Sequence, residues 1–233
     1  ADGYNVGIGY NAGTAVTTGT HNTLIGGLAG DAITTANNCI AIGTNALGGN
    51  VLADRSIAIG NNALLTHNVG SSADTYNVAI GHQSQEKTTT GTLNTSVGGY
   101  ALYANTTASN NTAIGYSALI ANTTGAGNTA IGKSALESNT TGADNIAIGR
   151  DSMTAATTAD QTISIGHIAG TALTTGDYNT FIGGGAGTAT TTASSNVAIG
   201  NGSFYGNTTG GYNTAVGTNS LGANTTASFN TSM

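Results

Sequence analysis

The sequence predicts an all-β chain, a parallel β-solenoid wound in coils of 17 residues. Three observations carry this reading. Thirteen glycines (Gly9, Gly26, Gly43, Gly60, Gly81, Gly98, Gly115, Gly132, Gly149, Gly166, Gly183, Gly200 and Gly217) recur every 17 residues, with one step of 21. Each is preceded by Ile or Val, as in Ala113-Ile114-Gly115. Two residues before that, every coil carries Val, Ile or Thr, for example Val78, Thr112, Ile146 and Val197. A period held along the chain means one short unit stacked on itself rather than a globular core.

With this glycine numbered zero, Asn stands at −4, a β-branched residue at −3, Ala at −2 and Ile at −1. Ala or Ser follows at +3, Leu or Gly at +4, and Asn-Thr-Thr-Gly runs from about +7 to +10. Alternation of period two with β-branched residues predicts a short strand from −3 to −1. Its bulky stripe, −3 and −1, is assigned to the interior. The structural core is therefore Ile25, Ile42, Ile59, Ile80, Ile114, Ile131, Ile148, Ile165, Ile182 and Ile199. The smooth stripe of Ala and Gly is the expected place for close approach, with Gly26, Gly43, Gly60, Gly81, Gly98, Gly115, Gly132 and Gly149 as close-packing glycines. Seventeen residues allow two short strands per coil, and Asn-Thr-Thr-Gly supplies turn chemistry. Coils ~4.8 Å apart would give thirteen of them a length of about 60 Å. Residues 1–233 read as one solenoid cut from a longer fibre, since both ends fall inside the repeat.

Side-chain size varies in a correlated way. Where +4 is Leu (Leu102, Leu119, Leu136, Leu221), +7 is Asn; where +4 is Gly, +7 is usually apolar, as in Gly13 with Val16, Gly30 with Ile33 and Gly170 with Leu173, while Gly187 with Thr190 and Met153 with Ala156 fit only loosely. Both positions are expected to fill one cavity. The core remains thin, at two or three sizeable apolar side chains per coil, and oligomerisation is the usual remedy for a thin core.

Composition narrows the function classes. Charged residues are 6% of the chain, Gly numbers 37, Pro and Trp are absent, and net charge is −6. With Arg55, Lys87, Lys133 and Arg150 as the only strong cations, no basic stripe for nucleic acid exists. No apolar run approaches the roughly 18 residues that span a membrane. The lone Cys39 occupies the −4 column and reads as a tolerated substitution. His21, His67, His82 and His167 have no paired carboxylate or nucleophile at consistent spacing, and the eight Asp residues are scattered. Gly183-Gly184-Gly185-Ala186-Gly187 lacks the βαβ context of a dinucleotide loop. No catalytic residue, metal site or cofactor is expected.

Four features bear on function. Four extra residues enter within 67–76, beside a coil that replaces Thr-Thr with Val51-Leu52, and the longer loop is expected to cover that apolar pair. Tyr4, Tyr76, Tyr178, Tyr212 and Phe229 share the position before the strand Asn. From these two features, Tyr76, Tyr178, Tyr212, His67 and Val69 are the candidate binding residues. Threonine pairs such as Thr123-Thr124 and Thr140-Thr141 stack at one phase, which raises an ice-binding surface as an alternative function. Sequons at Asn105, Asn122, Asn139, Asn207 and Asn224 coincide with the repeat turn.

The segments Asn38-Cys39-Ile40-Ala41-Ile42-Gly43, Asn77-Val78-Ala79-Ile80-Gly81, Asn145-Ile146-Ala147-Ile148-Gly149 and Asn196-Val197-Ala198-Ile199-Gly200 resemble the YadA-like head repeats of trimeric autotransporter adhesins. Similar repeats occur in fibrous phage tail proteins. The resemblance implies a left-handed parallel β-roll, three chains about one axis, and an adhesive or structural segment of an extracellular fibre on a cell or virion surface. Host-surface glycan or protein receptors, besides the other two copies, are the partners it implies. This repeat departs from the family in its 17-residue length and in Asn at −4, so a secreted matrix filament stays an alternative. An enzyme is not expected.

Overall fold

The computed structural model describes residues 3–233 and is a parallel β-solenoid of about thirteen coils, with no helix among those residues. It comprises two compact units, Ala1–Tyr116 and Ser117–Met233. The first holds β1 (Val6–Ile8), β2 (Thr23–Ile25), β3 (Ile40–Ile42), β4 (Ala53–Asp54), β5 (Ile57–Ile59), β6 (Ala73–Asp74), β7 (Val78–Ile80), β8 (Thr95–Val97) and β9 (Thr112–Ile114). The second holds β10 (Thr129–Ile131), β11 (Ile146–Ile148), β12 (Ile163–Ile165), β13 (Thr180–Ile182), β14 (Val197–Ile199), β15 (Thr214–Val216) and β16 (Thr231–Ser232). Within each unit equivalent residues pair in parallel, as Ile40 with Ile57 and Ile146 with Ile163. The 21-residue step leaves this register intact, since Ile57 pairs Val78. The inserted residues instead form β6, which pairs with β4.

Most coils contribute one three-residue strand, not the two expected; only the two coils that carry β4 and β6 add a second, of two residues. The remainder is turn backbone that still bonds to its neighbours. Leu47 donates to Ala63 O of the following coil at 3.0 Å, and Asn45 to Gly27 O of the preceding one at 3.0 Å. This alternation needs left-handed backbone at −5, +2 and +4: Asn38, Asn45 and Leu47 have φ of 58°, 57° and 55°. Leucine and tyrosine rarely adopt such angles. They hold them here because ladder bonds on both sides fix the chain.

The zero-position glycines set the pitch. Gly26, Gly43 and Gly149 hold φ of +134°, +130° and +131°, a region closed to other residues. A Cβ on Gly26 or Gly43 would lie 2.6 Å from the carbonyl oxygen of the next such glycine. The close contact joins successive coils of one chain.

The faces of the strand are the reverse of the expected ones. The −2 residues Ala41, Ala58, Ala79, Ala130, Ala147 and Ala198 are 0% exposed. By contrast Ile80, Ile114 and Ile199 are 36–38% exposed, and Ile25, Ile42, Ile59, Ile131, Ile148, Ile165 and Ile182 are half-buried. The isoleucines assigned to the structural core thus form the outer face of the coil. The physical reason is volume: one narrow coil has room for methyl groups from −2 and +3 facing the +4 side chain, and for little else. About one large side chain per coil is fully buried, among them Leu47, Leu64, Leu102, Leu119, Leu136, Met153 and Phe204, all at +4.

Where +4 is glycine, its space is taken from −2. A Cβ at Gly13 or Gly30 would strike Leu24, and one at Gly170 or Gly187 would strike Phe181. Leu24 and Phe181 replace the usual alanine. The +7 residue helps in the first coils, where a Gly30 Cβ would meet Ile33 at 2.9 Å. In six later coils +7 is an Asn, which serves the turn; Asn139 donates to Gly142 O at 3.0 Å.

The −4 asparagines are buried struts. The Asn22 side-chain oxygen accepts from the Cys39 N–H at 2.9 Å, and its amide donates to Ala36 O at 2.8 Å. Asn145 makes the same pair of bonds, to Thr162 N–H and Ala159 O. A buried amide is tolerated because each of its dipoles has a partner.

Two neighbouring glycines test the pitch contact. Gly26→Ala should cost about 3 kcal/mol or more, and Gly27→Ala, whose Cβ meets nothing within 4 Å, should stay within about 0.5 kcal/mol. Denaturant unfolding of the two variants compares them directly. Volume exchange is tested by Phe181→Ala, expected to cost about 4 kcal/mol, and by Gly187→Leu, which is destabilising alone. Combined, they restore the common Ala/Leu pairing, so a double-mutant cycle should return a favourable coupling of about 2 kcal/mol.

Candidate interaction surfaces

Positions that the fold leaves free lie outside the coil. The most extensive is the outer strand face, where −3 and −1 place two β-branched residues on every coil of both units. Its −1 row is Ile or Val on every coil, and a repeated apolar row of this kind marks an interaction face more often than a solvated one.

The −5 column runs beside it on left-handed backbone. Tyr4, Tyr76, Tyr178, Tyr212 and Phe229 are all exposed there. Tyr212 stacks on Phe229 with centroids 5.1 Å apart and rings within 4° of parallel. Tyr4 stacks on His21 at 5.2 Å, and the Arg55 guanidinium lies over Tyr76 at 5.9 Å. Arg55 also pairs with Asp74 of β6, so the insertion ends in a knot of Arg55, Asp74 and Tyr76.

The five candidate binding residues are not brought together. Tyr76, Tyr178 and Tyr212 stand on separate coils, and Val69 is half-buried. Val51 and Leu52 are half-buried as well. His67 is fully buried, which corrects its assignment as a binding residue. Its +7 phase, the column of Asn50 and Asn105, points inward regardless of the insertion that follows. The His67 ring stands 3.4 Å from the Asn77 amide at Nε2, while Nδ1 has no partner. Burial pushes its pKa down to about 4, so the imidazole is neutral in the folded chain.

Other sequence features resolve as structure. Cys39 is buried, its Sγ 3.4 Å from Ala53 O, and burial raises its pKa to about 11, which keeps it an unreactive thiol. The sequon residues Asn105, Asn122, Asn139 and Asn207 are 0% exposed. In the threonine pairs the +8 hydroxyl donates to the next coil, as Thr140 does to Thr157 O at 3.1 Å. The exposed threonine is the +9 one, for example Thr141, Thr158 and Thr175. Among the described residues no group of three or more His, Cys, Asp or Glu side chains stands together.

One cluster was not anticipated. His82, Tyr100, Tyr103 and Tyr116 come from three successive coils, and Tyr100 contacts the other three rings at 5.3, 6.0 and 5.8 Å. Lys87 lies over Tyr103, 4.7 Å from its centroid. The residues belong to columns +1, +2, +5 and +6, so no single column reveals them. Their signal in the sequence is diagonal: Tyr100 follows His82 by 18 and precedes Tyr116 by 16, one to each side of the period.

No protein-family model matches the chain, and no curated protein matches it either.

The buried imidazole makes stability depend on pH. Because the folded pKa lies below the ordinary 6.5, the His67 contribution is complete above about pH 6.5 and is lost as pH falls toward 4. Over that window the loss should approach about 3 kcal/mol. His67→Asn, the residue that the preceding coil has at this position, should flatten that part of the profile when urea midpoints are compared across it.

Proposed function

We propose that this chain is a non-enzymatic segment of an extracellular fibre, assembled as a homotrimer through the outer strand faces of its copies. The observation that supports this reading is the row of outward Ile, Val and Thr at −3 and −1. A chain that buries alanine and exposes isoleucine has placed its strongest β-forming residues where a second chain would dehydrate them. The thin interior argues the same way. With about one large buried side chain per coil, the lone solenoid gains little from its own core, and close association of copies supplies the missing burial.

The left-handed winding and the adhesive or scaffold role belong to this proposal through the resemblance to YadA-like head repeats. The mechanism is mechanical. Parallel backbone ladders resist bending, and the number of coils sets how far a surface is projected. The exposed columns at −5 and +1 can then change from coil to coil without disturbing the ladder, which suits a fibre that presents contacts.

The mass of the native particle tests the assembly. Light scattering on the intact chain should give three times the chain mass, and a monomer at micromolar concentration overturns the proposal. Ile148→Asp with Ile165→Asp should convert the particle to monomer or prevent folding. If the double variant kept both mass and melting temperature, these residues would be an ordinary solvated face.

A further inference from the structure

We infer that His82, Tyr100, Tyr103 and Tyr116, flanked by Lys87, form a binding site for a neutral polysaccharide. The site stands apart from the association proposed above and does not require it. Its rings are arranged around Tyr100, which meets His82 and Tyr116 nearly edge-on at 86° and 80°, and Tyr103 at 67°. Tyr100 is held in place by its own backbone, which donates to His82 O at 2.9 Å. Between His82 and Tyr116 the +1 position is Gly99, which puts no side chain beside the rings; a Cβ there would only reach ordinary contact with the Tyr116 ring, at 3.5 Å. Tyr116 is 55% exposed and His82 is exposed as well.

The fold itself does not ask for these rings. At +1 other coils carry Thr44, Asn61 or Asn201, besides Tyr10 and His167; at +2 they carry Asn45 or Asn62; at +5 they carry Thr14 or Thr154, besides Tyr205. Left-handed backbone at +2 suits Asn better than Tyr, so Tyr100 at φ 59° is a local disadvantage that the ladder does not explain. Four rings gathered on three adjacent coils, in a chain that is 5% aromatic, require a reason outside packing.

The chemistry of the patch selects its occupant. Aromatic faces offer apolar contact, while the phenol hydroxyls, imidazole and ammonium offer hydrogen bonds at the margins. A sugar ring presents the matching combination, an apolar face of C–H groups with hydroxyls around its rim. The cluster contains no aliphatic side chain of the kind that usually accompanies aromatics in a protein interface core. Anionic ligands are disfavoured because Lys87 is the one full cation, sits over the Tyr103 ring, and is adjacent to Glu86. Nucleic acid would require a positive groove that is absent from this cluster.

Titration of the intact chain with cellohexaose, chitohexaose and maltohexaose tests the inference, with 3′-sialyllactose and heparin as anionic comparisons. Tyrosine fluorescence serves as the signal, because the chain has no Trp. Saturable binding of at least one neutral oligosaccharide below ~10 mM is expected. The variant Tyr100→Asn with Tyr116→Thr uses residues native to the same columns, so it should fold normally and weaken that binding about tenfold or more. Tyr205→Thr, at an exposed +5 position outside the cluster, should bind as the unmodified chain does. The inference is overturned if no neutral oligosaccharide binds, if only the anionic ligands bind, or if Tyr205→Thr weakens binding as much. It is also overturned if the double variant changes the mass of the native particle, which would make the rings a contact between copies.

Discussion

Every coil depends on the approach of one glycine to the next, a coil further along the chain. The carbonyl of Gly43 occupies the space where a side chain on Gly26 would begin, and the same holds from coil to coil within each unit. This contact sets the distance between rungs at the value that parallel ladders require, and it demands backbone angles open to glycine alone. A residue needed at one point per turn, without exception, forces the rest of the turn to keep constant length. The 17-residue period follows from that. Where four residues are added they leave the path as a small pair of strands, β4 and β6, and the register resumes.

A constant coil length also limits what the interior can hold. The space is narrow, so it is shared by exchange: leucine at +4 faces alanine at −2, and glycine at +4 admits Leu24 or Phe181 at −2. Buried polar groups follow the same economy. The −4 asparagine can span two coils with both ends of its amide, as Asn22 and Asn145 do, so polar groups are carried through the interior on paired dipoles. Gln85 and Ser96 extend the pattern, replacing a leucine–alanine contact by a hydrogen bond of 2.9 Å.

The period, the strand and its parallel stacking were legible because glycine and β-branched residues report backbone geometry directly. The inward face was not. Strict alternation has two solutions, and the convention that the bulkier stripe lies inside holds for cores with volume to fill. Here the decisive clue was Leu24 and Phe181, the two large residues at −2, each lying beside coils with glycine at +4. Those exchanges mark −2 as interior. His67 was open to correct reading by phase alone, yet the neighbouring insertion drew it toward a binding role. The cluster around Tyr100 was harder, since its members lie on different columns and meet only when adjacent coils are laid side by side.

A repeat of this kind separates fold from function by position. Columns −4, −2, 0, +3 and +4 are constrained by the ladder and the narrow interior, so substitutions there follow volume and hydrogen bonding. Columns −5 and +1 face outward while +2 and +5 are half-buried in most coils, and on all four the ladder imposes chiefly backbone angles. A residue in one of these columns that opposes even that mild preference needs a further cause. Tyr100 is such a residue, as are Tyr76 and Tyr178 at −5, all at positive φ where asparagine or glycine would be easier. Tyr100 differs from the others in having three rings around it. Chemistry in a solenoid therefore appears where neighbouring coils depart from the consensus together, and the departure is visible only against the regularity that the glycine contact enforces.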